Sequence, residues 1–200
     1  MTETVSLAIL AGGRGQRLGG RTKPLARRKG ETLVHQIQRV LGPSVQETFL
    51  VAPEDLESAL APFGRVVRDP GQGPGRAVFA AAIAADSEWL FVVAGDHVNP
   101  SQALMQRLWS ARSGADAVAV CAQGQLQGTY ALFRAPAVRA LEPGQVRSLH
   151  AILLALNAIE VPYEALGPQE QAGLADVDTR EDAQRYGLEL PPRRGAHPTD

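Results

Sequence analysis

Between Gly12 and Gly20 five of nine residues are glycine, and Arg14, Arg17, Arg21 and Lys23 stand among or just after them. Glycine permits positive φ and lets backbone N–H groups come close to a ligand, so such a loop can wrap the phosphates of a nucleotide. The four cations add donors that offset polyphosphate charge. Two familiar loops are tested by spacing. A dinucleotide fingerprint needs G-x-G-x-x-G, but Leu18 stands where the third glycine belongs. A P-loop needs G-x-x-x-x-G-K-[ST]; residues 15–20 with Arg21-Thr22 keep that spacing with Arg for Lys, yet Pro24 bars the helix a P-loop opens. A mobile loop that binds nothing is the plain alternative.

Three aspartates could serve a metal. Asp96 follows the most apolar run of the chain, residues 89–94, and so falls at the carboxyl end of a strand, where open α/β sheets bind ligands. Mg2+ takes one or two hard carboxylate oxygens from protein and fills its shell with phosphate and water. Asp176 and Asp178 lie two apart, on one side of an extended segment. The competing role for Asp96 is to cap a helix near Ser101; for Asp178 or Thr179 it is to cap a final helix over residues 180–186.

Short apolar runs at residues 5–11, 48–52, 89–94 and 117–120 read as buried parallel strands. Helical spacing lies between them: Leu33, Ile37, Val40 and Leu41, then residues 77–85, then Leu104, Leu108 and Trp109. Alternation of this kind predicts an α/β fold of three layers, Rossmann-like, with a mostly parallel central sheet and helices on both faces. The second half is less regular. Residues 128–134 read as a strand, 146–158 as a helix and 164–173 as a loop, with mixed strand directions there.

Two hundred residues with 44% hydrophobic content suit one domain, here set at residues 1–187. Residues 188–200, proline-rich and nearly without apolar side chains, read as a flexible tail. A net charge of −1 offers no basic field for nucleic acid or an anionic membrane. The N-terminus shows neither signal peptide nor membrane span, and the expected location is the cytoplasm. Cys121 is the single cysteine; in its apolar run it reads as a buried packing residue, and no internal disulfide can form.

The loop Leu10-Ala11-Gly12-Gly13, with Arg17, Gly19, Gly20 and Lys23, resembles the L-A-G-G-x-x-x-R-M-G-G-x-D-K signature of the molybdenum cofactor guanylyltransferases. Leu18 replaces Met and Thr22 replaces Asp. Weaker matches follow: Asp69 with Gly73-Pro74-Gly75 resembles the family's nucleotide loop, and Asp96 its C-D-x-P, without the cysteine or the close proline. Gly124 to Phe133 and Arg147-Ser148-Leu149 are similar to acceptor-side segments. Asp176-Val177-Asp178-Thr179-Arg180-Glu181-Asp182 is similar to N-x-N-T-P-E-D. The resemblance implies the fold of the nucleotide-diphospho-sugar transferases and transfer of GMP from GTP to the terminal phosphate of Mo-molybdopterin, with release of pyrophosphate. It further implies nucleotide contact at Leu10, Ala11, Gly12, Gly13, Lys23, Asp69 and Asp96, and catalytic roles for Lys23, Arg17 and Asp96. Mg2+ is then the implied cofactor, held by Asp96 with Asp176 or Asp178. Proteins that deliver molybdopterin or mature molybdoenzymes are the implied partners. Cytidylyl transfer, sugar-phosphate nucleotidyl transfer and a non-catalytic nucleotide-binding regulator are the alternatives.

Overall fold

A computed structural model describes residues 3–13, 15, 18–142, 144 and 146–193. The chain opens with β1 (Val5–Leu10), whose glycine loop leads into a 3-10 turn at Lys23–Leu25 and the short strands β2 (Arg27–Arg28) and β3 (Glu31–Thr32). Next come α1 (Leu33–Leu41), β4 (Thr48–Ala52), α2 (Glu57–Leu60), β5 (Arg65–Arg68), α3 (Pro74–Ala84) and β6 (Trp89–Ala94). The second half contains α4 (Gln102–Ser110), β7 (Ala117–Ala122), β8 (Gln125–Arg134), α5 (Ala135–Arg139), α6 (Leu149–Ala155) and β9 (Ile159–Pro162). It ends with α7 (Pro168–Ala172), α8 (Arg180–Arg185) and β10 (Leu188–Glu189).

Seven strands form the central sheet in the order β5-β4-β1-β6-β8-β7-β9. Strands β4, β1 and β6 run parallel, as their continuous apolar runs predict, and β5 lies parallel to β4, while β8 is antiparallel to both β6 and β7. That reversal has a local cause. Gln123 and Gly124 both take positive φ, 52° and 73°, which makes a two-residue hairpin turn between β7 and β8. The same turn starts β8 at Gln125, three residues before the expected strand.

Alternation along β1 divides the core. Leu7 and Ile9 join the layer under α1 and α4, with Leu50, Phe91 and Val93; Ala8 faces the layer under α3 and α6, with Phe49, Val51, Leu90 and Val92. A third, smaller cluster of Leu18, Ala26, Leu33, Val98, Val177 and Ala183 supports the glycine loop from below.

Four expectations need correction. The helix expected at 146–158 is only Leu149–Ala155, because Ser148 caps it by accepting the Ala151 N–H at 3.1 Å. The expected loop at 164–173 contains α7, where Glu170 accepts the Gly167 N–H at 2.6 Å. Residues 188–193 do not hang free: β10 pairs with β2, Leu188 and Leu190 pack on the third cluster, and Arg193 bridges to Arg21. Residues 194–200 lie outside the described part. Cys121 is half-buried rather than enclosed, since it sits beyond the bulge at Ala119/Val120 near the end of β7, and the Glu160 carboxylate beside it pushes its thiol up. Among the described residues no helix is long and apolar enough to cross a membrane.

Candidate active site

The parallel ladder continues past the strand ends and lines up the site. Ala11 N–H donates to Val51 O at 2.8 Å, Asp69 N–H to Ala52 O at 2.8 Å and Gly95 N–H to Leu10 O at 2.9 Å. These three bonds set Asp69, the glycine loop and Asp96 side by side along the carboxyl edge of β5, β4, β1 and β6. Chain order reverses between β1 and β6, and a crevice opens at such a switch point. A cavity of about 590 Å³ occupies it. Leu10, Gly12, Gly13 and Lys23 line it from the first loop, Asp69, Gly71, Gly73 and Pro74 from the second, and Asp96, Thr129 and Leu149 from the far side.

Of the residues expected to meet nucleotide, Leu10, Gly12, Gly13, Lys23, Asp69 and Asp96 line this cavity. Ala11 does not: its side chain is fully buried beneath the loop, and its role is the backbone bond to Val51. Arg17, expected to be catalytic, lies outside the described residues, as does Arg14.

Lys23 binds two of the three aspartates. Its Nζ donates to Asp96 Oδ2 at 2.9 Å and to Asp178 Oδ1 at 2.7 Å. Burial alone lowers an ammonium pKa, but the charges of Asp96 and Asp178 outweigh it, so the Lys23 pKa is raised and the side chain stays cationic. A backbone bridge brings the acidic segments together: Val98 N–H donates to Ala175 O at 3.0 Å and Val177 N–H to Asp96 O at 3.2 Å. Partial burial, and then the charge of nearby Asp96, push the Asp176 carboxyl above its ordinary range.

The resemblance implied a metal held by Asp96 with Asp176 or Asp178, and Lys23 contacts Asp96 and Asp178. Among the described residues no group of three or more His, Cys, Asp or Glu side chains is arranged to hold a metal ion, and Lys23 lies within hydrogen-bond distance of both Asp96 and Asp178. Two carboxylates remain a fit for Mg2+. Asp96 and Asp176 repel each other, and a divalent cation that needs only one or two protein oxygens would relieve that repulsion.

Ser101, not Asp96, caps α4, accepting the Leu104 N–H at 3.2 Å, which leaves Asp96 to Lys23. Behind Asp96 stands a group that spacing did not single out. Tyr130 accepts the Ser101 N–H at 3.0 Å and donates to Ser101 O at 2.6 Å; burial pushes its hydroxyl far up. His97 packs edge-on against the Tyr130 ring, is 1% exposed, and places Nδ1 3.1 Å from Gly173 O. Burial lowers its pKa, so the ring is neutral and Nδ1–H donates to that carbonyl. The signal available in the sequence was His97 itself, a polar residue next to a strand-end Asp.

A second contact joins the two loops that line the cavity. A Cβ on Gly12 would collide with Asp69 Oδ2, whereas at Gly13 nothing lies within 4 Å. Asp69 Oδ1 meanwhile accepts the Gly71 N–H at 2.8 Å. The glycine at position 12 thus makes room for the Asp69 carboxylate.

Strand order and the glycine-loop cavity define the fold of the nucleotide-diphospho-sugar transferases, shared with molybdopterin-guanine dinucleotide biosynthesis protein A of Archaeoglobus fulgidus. That structure superposes with a TM-score of 0.74 at 22% identity, covering 90% of this chain and 96% of the other. Residues 7–159 match the MobA-like NTP transferase domain, and the chain belongs to that family. A molybdenum cofactor guanylyltransferase of Pseudomonas putida strain GB-1 is 36% identical over 60% of this chain and 64% of its own length, so this chain spans under two thirds of that relative. Another, from Pseudomonas aeruginosa strain PAO1, is 29% identical over 88% of this chain and 91% of its own.

Proposed function

We propose that this protein transfers GMP from GTP to the terminal phosphate of Mo-molybdopterin, forming the guanine dinucleotide cofactor and releasing pyrophosphate. The observation that carries the reading is Lys23, which holds Asp96 at 2.9 Å and Asp178 at 2.7 Å on the wall of a cavity bounded by the glycine loop. An acceptor oxygen bonds to the α-phosphorus, and the α–β bridging oxygen leaves with its electron pair as pyrophosphate. A phosphate monoester loses its second proton at a pKa of about 6, so at neutral pH the acceptor is already a dianion and no general base is required. The protein's work is alignment and charge neutralisation. Lys23 offsets the charge that grows on the leaving pyrophosphate, and the amides of Gly12 and Gly13 face the phosphates. Asp96 with Asp176 would hold Mg2+, which when bound supplies further neutralisation of the phosphate oxygens.

Guanine as the base is supported by Asp69. A carboxylate accepts the adjacent N1–H and N2–H of guanine, while cytosine sets its N3 lone pair against that charge. The small residue at position 12 favours GTP through Asp69: a Cβ there would displace the carboxylate. With Mg2+ and Mo-molybdopterin, GTP is expected to release pyrophosphate at least tenfold faster than CTP, and glucose 1-phosphate to give none with any NTP. Faster CTP turnover would move the reading to a cytidylyltransferase, and turnover only with the sugar phosphate would overturn the acceptor. Tight GTP binding with no turnover on any acceptor would make the protein a nucleotide-binding regulator.

A further inference from the structure

Three arginines from distant parts of the chain converge beside the glycine loop, outside the residues that line the cavity. Arg180 Nη2 lies 3.7 Å, and Arg193 Nε and Nη2 3.8 Å, from the point where a Cβ on Gly19 would sit. Arg21 bridges to Arg193 through the backbone, and its Nη1 donates to Pro191 O. Among the described residues the Nε–H of Arg21 is buried without an acceptor, an unfilled donor of the kind a ligand satisfies. Guanidinium-bearing side chains brought this close are like charges that an anion would relieve.

Their place in the chain gives the cluster its direction. Arg21 is two residues from Lys23, and Arg180 two from Asp178, the pair that meets on the cavity wall. Two residues span at most about 7 Å, so the backbones of Arg21 and Arg180 lie within that distance of those of Lys23 and Asp178. Guanidinium groups bind phosphate oxygens through paired N–H donors.

We propose that Arg180 and Arg193, with Arg21 at their base, form a phosphate subsite beside Lys23 that receives the phosphomonoester of the acceptor. This rests on the nucleotidyl-transfer reading above. The nucleotide already has the glycine loop and Lys23, whereas none of the three arginines lines that cavity. Pyrophosphate and the donor's own β- and γ-phosphates share the same chemistry and are separated by experiment.

Arg180 and Arg193 are exposed, so R180A, R193A and the double variant are expected to keep the wild-type circular dichroism. In steady-state assays with Mo-molybdopterin and GTP varied in turn, the double variant should raise the KM for the acceptor tenfold or more and leave that for GTP unchanged. R180K with R193K should recover part of the loss. Inorganic phosphate should compete with the acceptor in the wild type and far less in the double variant. A raised KM for GTP with that of the acceptor unchanged would give the cluster to the donor triphosphate and overturn the proposal; so would no change in either. A second measurement needs no turnover. Titration of the protein alone with inorganic phosphate at low ionic strength, followed by 31P NMR, should show binding that the double variant loses, whether or not any NTP is used. Phosphate binding retained in the double variant would overturn the subsite by itself, independently of the reaction assigned.

Discussion

Lys23, with its two aspartates, is the centre of the proposed site at the scale of single residues. Asp96→Asn should preserve the fold and remove most Mg2+-dependent turnover, whereas Lys23→Ala should lower kcat/KM by about 2–4 kcal/mol, the cost of losing one donor aimed at developing charge. Pyrophosphate release measures both, and wild-type rates in either variant would take that residue out of the chemistry. Gly12 and Asp69 form a second unit. A Cβ at position 12 would displace the Asp69 carboxylate. Gly12→Ala and Asp69→Ala should each raise the KM for GTP, and the double variant should be little worse than either alone. The coupling in that cycle is expected to be about 1 kcal/mol or more; simple additivity would show that the two residues act independently.

Among the elements, α8 bears most directly on the site, since the turn that starts it also carries Asp178. Thr179 accepts the Asp182 N–H at 3.1 Å, and Asp182 Oδ2 receives the Thr179 hydroxyl at 2.8 Å and its N–H at 2.9 Å, a reciprocal capping box. The Thr179 hydroxyl, then its N–H, hold the Asp182 carboxyl below the usual aspartate value of 3.8. A depressed folded pKa means that this stabilisation is fully present above 3.8 and fades as pH falls through the folded value. Urea unfolding of the wild type and Asp182→Ala should therefore differ by a constant amount above pH 5, with the gap closing below 3.8. A gap that persists undiminished to pH 2 would show that the carboxylate charge contributes nothing to the cap.

Over the whole molecule, the last described residues tie the glycine loop to the rest of the fold. Leu188 and Leu190 complete the cluster around Leu18, and β10 extends the small sheet of β2 and β3. Ending the chain after Gly187 should lower the unfolding free energy by about 2 kcal/mol or more, the order expected for exposing two partly buried leucines and a strand pair. Denaturant titration is the measurement, and an unchanged midpoint would mean that the segment adds nothing to the fold.

Local rules were enough for much of this architecture. Continuous apolar runs predicted strands β1, β4 and β6, and the glycine run and a strand-end aspartate fall, as their positions predict, along the carboxyl edge of the sheet, where Gly12, Gly13 and Asp96 line one cavity, because each depends only on neighbours a few residues away. What local rules left open were the meetings across the chain. Lys23 reaches Asp96 and Asp178 over separations of 73 and 155 residues, and no spacing states that one ammonium will stand between two carboxylates expected to share a metal. The space beside Gly12 is held by a carboxylate 57 positions further on, so the role of that glycine depended on the packing of β1 against β4 and the loop after β5. Composition alone made residues 188–193 a tail; pairing with β2 and two leucines over a buried cluster made them part of the fold. Tertiary structure decided these points because burial and charge pairing depend on distance in space, which the order of residues does not contain.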